Sequence, residues 1–222
     1  MKRRSALVIG ATGATGQEIV SQLLEDDDYN SISIFVRRNP NIHNKKLITH
    51  EINFSKIEDY KDLIKGDVLF SCLGTTLKSA GTKEKQYLVD YTYQYQFAEI
   101  ASENGVPIYS LVSSTGANEN SPFFYPKIKG KLEKAIKKLS FKKIQIFQPP
   151  ILIRQQELMR TGEKIGIRVF RWFNFFGILK SQKPLPVSNL AKFMVEQIKM
   201  KQKEKVRTFK TFSNIYLKED FE

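Results

Sequence analysis

The sequence predicts an α/β fold built on a doubly wound parallel sheet, and two patterns carry that prediction. Short apolar runs alternate with segments of helical periodicity as far as about residue 150. The first apolar run ends at Ile9, stops at a cluster of glycines, and is followed by a helical pattern. Strands of a parallel sheet are buried on both faces and therefore appear as continuous apolar runs.

The length of 222 residues suits one domain with a substantial core, and we predict a single domain over residues 1–222. Because the chain has one cysteine, no disulfide framework is possible, which indicates a reducing compartment, and we expect the cytoplasm. The apolar run Ser5–Ile9 is too short for a signal-peptide core or a membrane span.

The formal net charge of +13 raises the question of a nucleic-acid or membrane partner. Lysine and arginine cluster within residues 127–143 and 199–210, but acidic residues are interspersed and no helix-turn-helix or finger pattern is found. We therefore interpret the clusters as solvated charged faces, with nucleic-acid binding as the weaker alternative.

The glycine turn after the first strand is predicted to bind a pyrophosphate. Glycine lets the backbone approach a ligand closely, and the first amides of the following helix point outward with the positive end of the helix dipole. The spacing GxxGxxG differs from the dinucleotide fingerprint GxGxxG, so the surrounding elements must support the assignment. The predicted cofactor contacts in this turn are Gly10, Thr12, Gly13, Ala14, Thr15 and Gly16.

Two arginines end the second predicted strand, Ser31–Val36, which follows a helix over Gln17–Leu24. In Rossmann units that bind NAD, an acidic residue about twenty positions beyond the glycines holds the ribose 2′-hydroxyl, whereas arginine accommodates a 2′-phosphate. This chain has Arg37 and Arg38 at that place. The pair predicts NADP as the cofactor, with NAD as the alternative.

The alternation continues toward the middle of the chain. Ligands of open α/β sheets bind at the carboxyl ends of the strands, so Cys72, Leu73 and Gly74 are predicted cofactor contacts. The predicted elements are a strand Leu47–Phe54, a helix Ile57–Ile64, a strand Asp67–Gly74, a loop Thr75–Lys85, a helix Tyr87–Glu103 and a strand Ile108–Val112.

Polar residues with catalytic potential follow this fifth strand. Ser113 and Ser114 end it, and Tyr125 and Lys129 stand four positions apart at the entrance of a helix that runs to about Leu139. That spacing places both side chains on one helix face. Because proline disfavours the helical region at the residue before it, Pro126 leaves two positions open for Tyr125, at the helix cap or inside the helix.

The C-terminal part, residues 151–222, loses the strict alternation and is predicted to include a short substrate-side or lid segment. A basic, aromatic-rich segment, Ile165–Leu179, is expected to pack over the site or into a homodimer interface, with a membrane surface or a protein partner as the alternative. The other predictions are a strand Ile144–Phe147, cofactor contacts at Pro150 and Ile151, a helix Pro186–Met200 capped by Ser188, and a strand Arg207–Phe212.

Together these residues resemble the extended or atypical short-chain dehydrogenases/reductases, and among them the small Tat-interacting-protein-like oxidoreductases. The likeness spans most of the Rossmann part in the right order. It rests on Gly10-Ala11-Thr12-Gly13-Ala14-Thr15-Gly16, Leu73-Gly74-Thr75-Thr76, Val89-Asp90-Tyr91, Val112-Ser113-Ser114-x-Gly116-Ala117 and Tyr125-x-x-x-Lys129-Gly130.

The resemblance implies a role for each matching residue. Tyr125 would be the general acid/base, and Lys129 would hold the nicotinamide ribose and stabilise the tyrosine phenolate. Ser114 would hydrogen-bond the substrate oxygen, with Ser113 as the alternative. Asp90 stands where the family has an asparagine, and an ionised carboxylate cannot donate a hydrogen bond, so a proton relay would run differently here.

The predicted function is an NADP-dependent oxidoreductase that acts on a small carbonyl or alcohol. The alternatives are an enzyme similar to nucleoside-diphosphate-sugar epimerases and a non-catalytic dinucleotide-binding module whose ligand controls association with a protein partner. A metal site is not predicted, because His43 and His50 lack acidic or cysteine partners at ligand spacing.

Overall fold

The computed structural model describes residues 3–153 and 184–212. Within these ranges the strands are β1 (Arg4–Ile9), β2 (Tyr29–Val36), β3 (Leu47–Glu51), β4 (Val68–Ser71), β5 (Ile108–Val112), β6 (Lys143–Phe147), β7 (Leu152–Ile153), β8 (Leu185–Pro186) and β9 (Val206–Phe209). Seven of them form one parallel sheet in the order β3-β2-β1-β4-β5-β6-β9, and β7 pairs with β8 in a separate two-stranded ribbon. The strand order reverses between β1 and β4, which confirms the predicted doubly wound sheet.

Helices cover both faces of the sheet. The helical elements are α1 (Ala14–Glu25), a 3₁₀ segment (Phe54–Leu63), α2 (Leu77–Ala80), α3 (Lys83–Tyr87), a π-helical turn (Leu88–Thr92), α4 (Tyr93–Glu103), α5 (Phe124–Ile136) and α6 (Val187–Lys199). Helices α1 and α6 pack together on one face, and α4, α5 and the 3₁₀ segment cover the other.

The central strand β1 shows why its sequence is apolar throughout. Ala6 and Val8 belong to the core beneath α1 and α6, whereas Leu7 and Ile9 belong to the core beneath α4 and α5. Successive side chains of a strand point to opposite faces, so a strand covered on both sides buries every residue. All four side chains are indeed buried, at 1% exposure or less.

Several predicted elements differ in the structure. The predicted helix Ile57–Ile64 is part of the 3₁₀ segment, in which only Phe54 and Ile57 are buried, and so little packing cannot hold a longer α-helix. The predicted loop Thr75–Lys85 contains α2 and α3, because Thr76 and Thr82 accept hydrogen bonds from backbone amides at the two helix starts.

The predicted long helix is interrupted by the π-helical turn before α4, and this turn carries the buried Asp90. The predicted cap Ser188 is wrong, because α6 begins at Val187 directly after the extended Pro186. The predicted last strand starts at Val206 and ends at Phe209. The aromatic-rich segment Ile165–Leu179 lies outside the described residues.

Candidate active site

The glycine turn lies at the carboxyl edge of the sheet, where the strand order reverses. Gly10 has a φ of +78°, and a Cβ atom there would lie 2.4 Å from the carbonyl carbon of Cys72. The Cys72 amide donates to the Ile9 carbonyl over 2.9 Å, which holds the ends of β1 and β4 together. A Cβ at Gly16 would lie 2.1 Å from the Gly10 carbonyl oxygen. Both glycines are therefore required by close backbone packing.

The N-terminus of α1 is open to a ligand. Its N-cap is Gly13, which provides no side-chain hydrogen bond, and its first turn contains no acidic residue. Thr12 and Gly13 are exposed, Ala14 is half-buried, and Thr15 is buried. The unpaired amides of this turn, together with the helix dipole, suit an anion such as a pyrophosphate.

The two arginines after β2 have different surroundings. Both are exposed, but only Arg37 lines a cavity of about 450 Å³ at the carboxyl ends of β2 and β3. The lining also includes Lys85 of α3, which sequence reasoning did not assign to the site. Lys85 lies in the segment predicted to be a loop, where no periodicity indicated which way it would face.

Tyr125 lies inside α5, which settles the question raised by Pro126. The helix begins at Phe124, with Phe123 as its N-cap, so Tyr125 and Pro126 are in the first turn. Amides of the first turn have no partner within the helix, and a proline there sacrifices no hydrogen bond. Tyr125 and Lys129 are therefore one helical turn apart on the same helix.

Lys129 is buried, with 2% of its surface exposed. Burial lowers the pKa of its ammonium group, and the negative charges of Asp90 and Glu133 oppose that effect. No side-chain hydrogen bond of Lys129 is found within the described residues. The site therefore suits a ligand whose hydroxyl or carbonyl oxygens accept from Lys129.

Asp90 is fully buried in the π-helical turn, a kind of irregularity that is frequent at functional sites. Its Oδ2 accepts from the Thr75 amide over 3.1 Å, while its Oδ1 has no partner in the described part of the chain. Burial raises the pKa of Asp90, and the charge of Lys129 and the Thr75 hydrogen bond lower it.

The phenol of Tyr125 is influenced by the same carboxylate. Tyr125 is half-buried, and burial followed by the negative charge of Asp90 raises its pKa well above the ordinary value. Asp90 thus acts electrostatically on both Tyr125 and Lys129. At neutral pH the tyrosine hydroxyl keeps its proton.

The two serines after β5 are held differently. The Ser113 hydroxyl donates to the buried carboxylate of Glu133 over 2.5 Å, and the same oxygen accepts from the Gln148 amide over 2.8 Å. Ser114 is half-buried, and its hydroxyl donates to the adjacent Thr115 carbonyl over 3.1 Å. Only Ser114 can exchange a weak local bond for a substrate. Sequence reasoning missed Glu133, although it lies one turn after Lys129 on α5.

Backbone contacts bring the loop after β5 to the other predicted contacts. The Thr115 amide donates to the Pro149 carbonyl over 3.0 Å, next to the buried Pro150 and the half-buried Ile151. A Cβ at Gly130 would lie 2.2 Å from the Asn118 carbonyl carbon, so the same loop packs directly on α5. The loop that carries Ser114 thus contacts both the segment after β6 and the helix α5, which carries Tyr125.

The described residues give less support to a nucleophilic cysteine, a metal site or a membrane-spanning helix. Burial raises the pKa of the Cys72 thiol to about 12, so it stays protonated rather than serving as a thiolate nucleophile. Within residues 3–153 and 184–212, no three His, Cys, Asp or Glu side chains are grouped to hold a metal ion. None of the helices described is both long and apolar enough to cross a membrane.

Comparison with known proteins identifies relatives. The family model described as NAD(P)H-binding matches residues 10–145. The protein named "Protein FMP52, mitochondrial" of Candida albicans is 33% identical over 198 residues, which are 86% of this chain and 86% of the relative. The protein named HTATIP2 of Rattus norvegicus is 30% identical over 174 residues, which are 77% of this chain and 72% of the relative.

Solved structures share the fold at low identity. A short chain dehydrogenase from Burkholderia cenocepacia, in complex with NADP, has a TM-score of 0.64 and 13% identity, with 95% of this chain and 89% of that chain covered. A UDP-glucose 4-epimerase from Thermotoga maritima, with UDP-glucose, has a TM-score of 0.66 and 15% identity, with 92% and 76% covered. These similarities show that the fold is of the Rossmann type.

Proposed function

The chain belongs to the NAD(P)H-binding family, and from that premise we propose that it is an NADP-dependent oxidoreductase of the short-chain dehydrogenase/reductase type, acting on a small carbonyl or alcohol. The observation that carries the proposal is the buried side chain of Lys129, which lies one helical turn from Tyr125 and for which no hydrogen bond to the described residues is found. A structural lysine would normally be exposed or paired.

The residues present fit a dinucleotide. The amides at the start of α1 would bind the pyrophosphate, and Lys129 would donate hydrogen bonds to the hydroxyls of the nicotinamide ribose. The segments that follow β4 and β6, at Cys72–Gly74 and Pro150–Ile151, would contact the rest of the dinucleotide. When bound, the nicotinamide ring supplies or accepts the hydride.

The proton side of the reaction falls to Tyr125. During reduction its phenol gives a proton to the substrate oxygen, so that the carbonyl becomes an alcohol. Its raised pKa keeps that proton in place at neutral pH. Lys129 lowers the free energy of the phenolate left behind, and solvent returns the proton. Ser114 donates a hydrogen bond to the substrate oxygen as negative charge develops there.

Arg37 supports the NADP preference, because it lines the cavity and forms no side-chain ion pair or hydrogen bond within residues 3–153 and 184–212. The small size of the substrate belongs to the same proposal. We also propose a cytoplasmic location, because a chain with a single cysteine forms no internal disulfide and suits a reducing compartment. The Candida albicans relative carries the word mitochondrial in its name. Cell fractionation with markers for both compartments decides between them.

A direct test combines cofactor binding with a substrate screen. NADPH affinity is measured by fluorescence titration, and small aldehydes and ketones are screened by the loss of NADPH absorbance. We expect turnover of at least one carbonyl class, which Tyr125→Phe abolishes while NADPH still binds. Unchanged turnover in Tyr125→Phe would remove Tyr125 from the mechanism. Tight NADPH binding without any turnover would favour the non-catalytic module instead.

A further inference from the structure

A cavity of about 450 Å³ lies beyond the residues that carry the proposed chemistry, at the carboxyl ends of β2 and β3. Its volume falls within the range of small-molecule sites. Arg37, which follows β2, lines this cavity together with Lys85 of α3 and Val89 of the π-helical turn. These residues belong to distant parts of the chain, so tertiary structure alone creates the cavity.

Five of the residues that line the cavity are apolar or aromatic, namely Ile52, Phe54, Leu88, Val89 and Tyr93. Ile52 and Phe54 are buried, whereas Leu88 is 41% exposed, which is high for a large apolar side chain. The Tyr93 hydroxyl lies 3.1 Å from the Ser55 hydroxyl, and the Tyr93 ring is tilted against Phe54 at a centroid distance of 5.8 Å. These contacts join the 3₁₀ segment to α4 and give this part of the cavity a defined shape.

Two positive charges stand at this apolar surface. Arg37 and Lys85 are both exposed, and neither side chain forms an ion pair or a hydrogen bond with the described residues. No acidic residue is among the described residues that line the cavity. Unpaired cations beside an apolar wall complement a ligand that joins an aromatic ring to a phosphate.

The cavity also lies where such a ligand would extend from the glycine turn. Ile9, the last residue of β1, is in register with Phe35 of β2, and Arg37 follows two positions later. The backbone at Arg37 therefore begins next to the glycine turn. A dinucleotide with its pyrophosphate at α1 can reach the cavity with its adenosine half.

We propose that Lys85 is a second phosphate-binding cation, which lines the same cavity as Arg37 and binds the 2′-phosphate of NADP together with it. The inference rests on the dinucleotide site of the proposed function and adds a specificity-determining residue to it. It also assigns the two arginines differently, because Arg38 is not among the residues that line the cavity.

The test uses ligands that lack nicotinamide, namely adenosine 2′,5′-bisphosphate and AMP, in isothermal titration of the full chain. We expect the wild type to prefer the bisphosphate, and Lys85→Ala to reduce that preference about fivefold to tenfold, because one solvent-exposed, charge-assisted contact is lost. AMP affinity should stay within about twofold. Lys85→Arg should keep the preference, since it retains the charge.

Lys83→Ala is the matched control. Lys83 lies on the same short helix, but its ammonium lies over the Phe124 ring, 5.4 Å from the centroid, and it does not line the cavity. We expect this variant to bind both ligands as the wild type does. A thermal melt of each variant checks that the fold is intact.

Each outcome separates this inference from the proposed function. If Lys85→Ala leaves the preference unchanged while Arg37→Ala removes it, the role of Lys85 is overturned and NADP use stands. An equal loss of affinity for both ligands in Lys85→Ala also overturns it, because the phosphate contact would then be absent. If the wild type shows no preference, the inference and the NADP assignment both fall. Carbonyl turnover tests the oxidoreductase reaction separately, since neither ligand carries a hydride.

Discussion

The Ser113 hydroxyl donates to the Glu133 carboxylate over 2.5 Å, and this buried hydrogen bond joins the end of β5 to α5. It connects the loop that carries Ser114 with the helix that carries Tyr125 and Lys129. Gln148, directly after β6, donates to the same carboxylate and adds a third element. These hydrogen bonds therefore hold together the elements that carry the proposed catalytic groups.

The neighbouring serines should respond differently to substitution by alanine. Ser113→Ala removes a buried hydrogen bond to a charged group and should lower the free energy of unfolding by about 2 kcal/mol. Ser114→Ala should leave stability within about 0.5 kcal/mol and reduce kcat roughly tenfold or more. Urea denaturation and NADPH-dependent turnover measure the two effects. The assignment of Ser114 is wrong if Ser113→Ala alone impairs kcat with stability intact.

Asp90 should control the pH dependence of the reaction. Asp90→Asn removes a negative charge that raises the pKa of Tyr125, so the tyrosine should lose its proton at lower pH. Reduction requires the protonated phenol, and the alkaline limb of the kcat/KM profile for reduction should therefore shift to lower pH. The measurement is that profile with NADPH at fixed ionic strength. A shift to higher pH, or none, would contradict the electrostatic role.

The buried Lys129 should lower the free energy of unfolding of the protein when no cofactor is bound. Because burial lowers its pKa below the ordinary 10.5, the unfolded chain binds more protons between the folded and unfolded values. Its contribution to stability therefore rises with pH across that window. The double variant Asp90→Asn/Lys129→Met removes both buried charges and should be as stable as the wild type or up to about 3 kcal/mol more stable. NADPH affinity should fall roughly tenfold or more, as titration would show.

The glycine turn can be tested with a control that has similar backbone strain. Gly10 and Gly105 have φ values of +78° and +79°, but a Cβ has no neighbour within 4 Å at Gly105 and would meet Cys72 at Gly10. Gly105→Ala should cost about 1 kcal/mol, from conformation alone. Gly10→Ala should cost at least about 3 kcal/mol and abolish NADPH binding. Equal costs in denaturation would show that the close approach is unimportant.

Arg37 and Arg38 should differ in their effect on cofactor choice. Arg37 lines the cavity at the carboxyl ends of β2 and β3, and Arg38 does not. Arg37→Ala should reduce the ratio of NADPH to NADH affinity roughly tenfold, because the fork of the guanidinium binds phosphate well. Arg38→Ala should change it by less than about twofold. The affinities come from fluorescence titration. If the two variants reduce the ratio equally, both arginines contribute to NADP binding, as the sequence predicts.

The sequence by itself determined the fold class and the family. Apolar runs such as Ala6–Ile9, the glycine turn and the Tyr125-x-x-x-Lys129 spacing depend on near neighbours along the chain, so local patterns suffice to recognise them. The same reasoning misjudged the 3₁₀ segment and the loop Thr75–Lys85, because short helices depend on caps and packing that periodicity does not measure.

Tertiary structure alone decided which polar groups meet. The partners Ser113 and Glu133 are 20 residues apart, and Ser71 and Gln94 in the buried core are 23 apart. Likewise, Asp90 is buried near Lys129 because the π-helical turn packs against α5. Such pairings arise when distant segments are brought together around the sheet, and no spacing in the chain encodes them. For that reason the sequence predicts the proposed catalytic residues, and the fold decides how their charges act on one another.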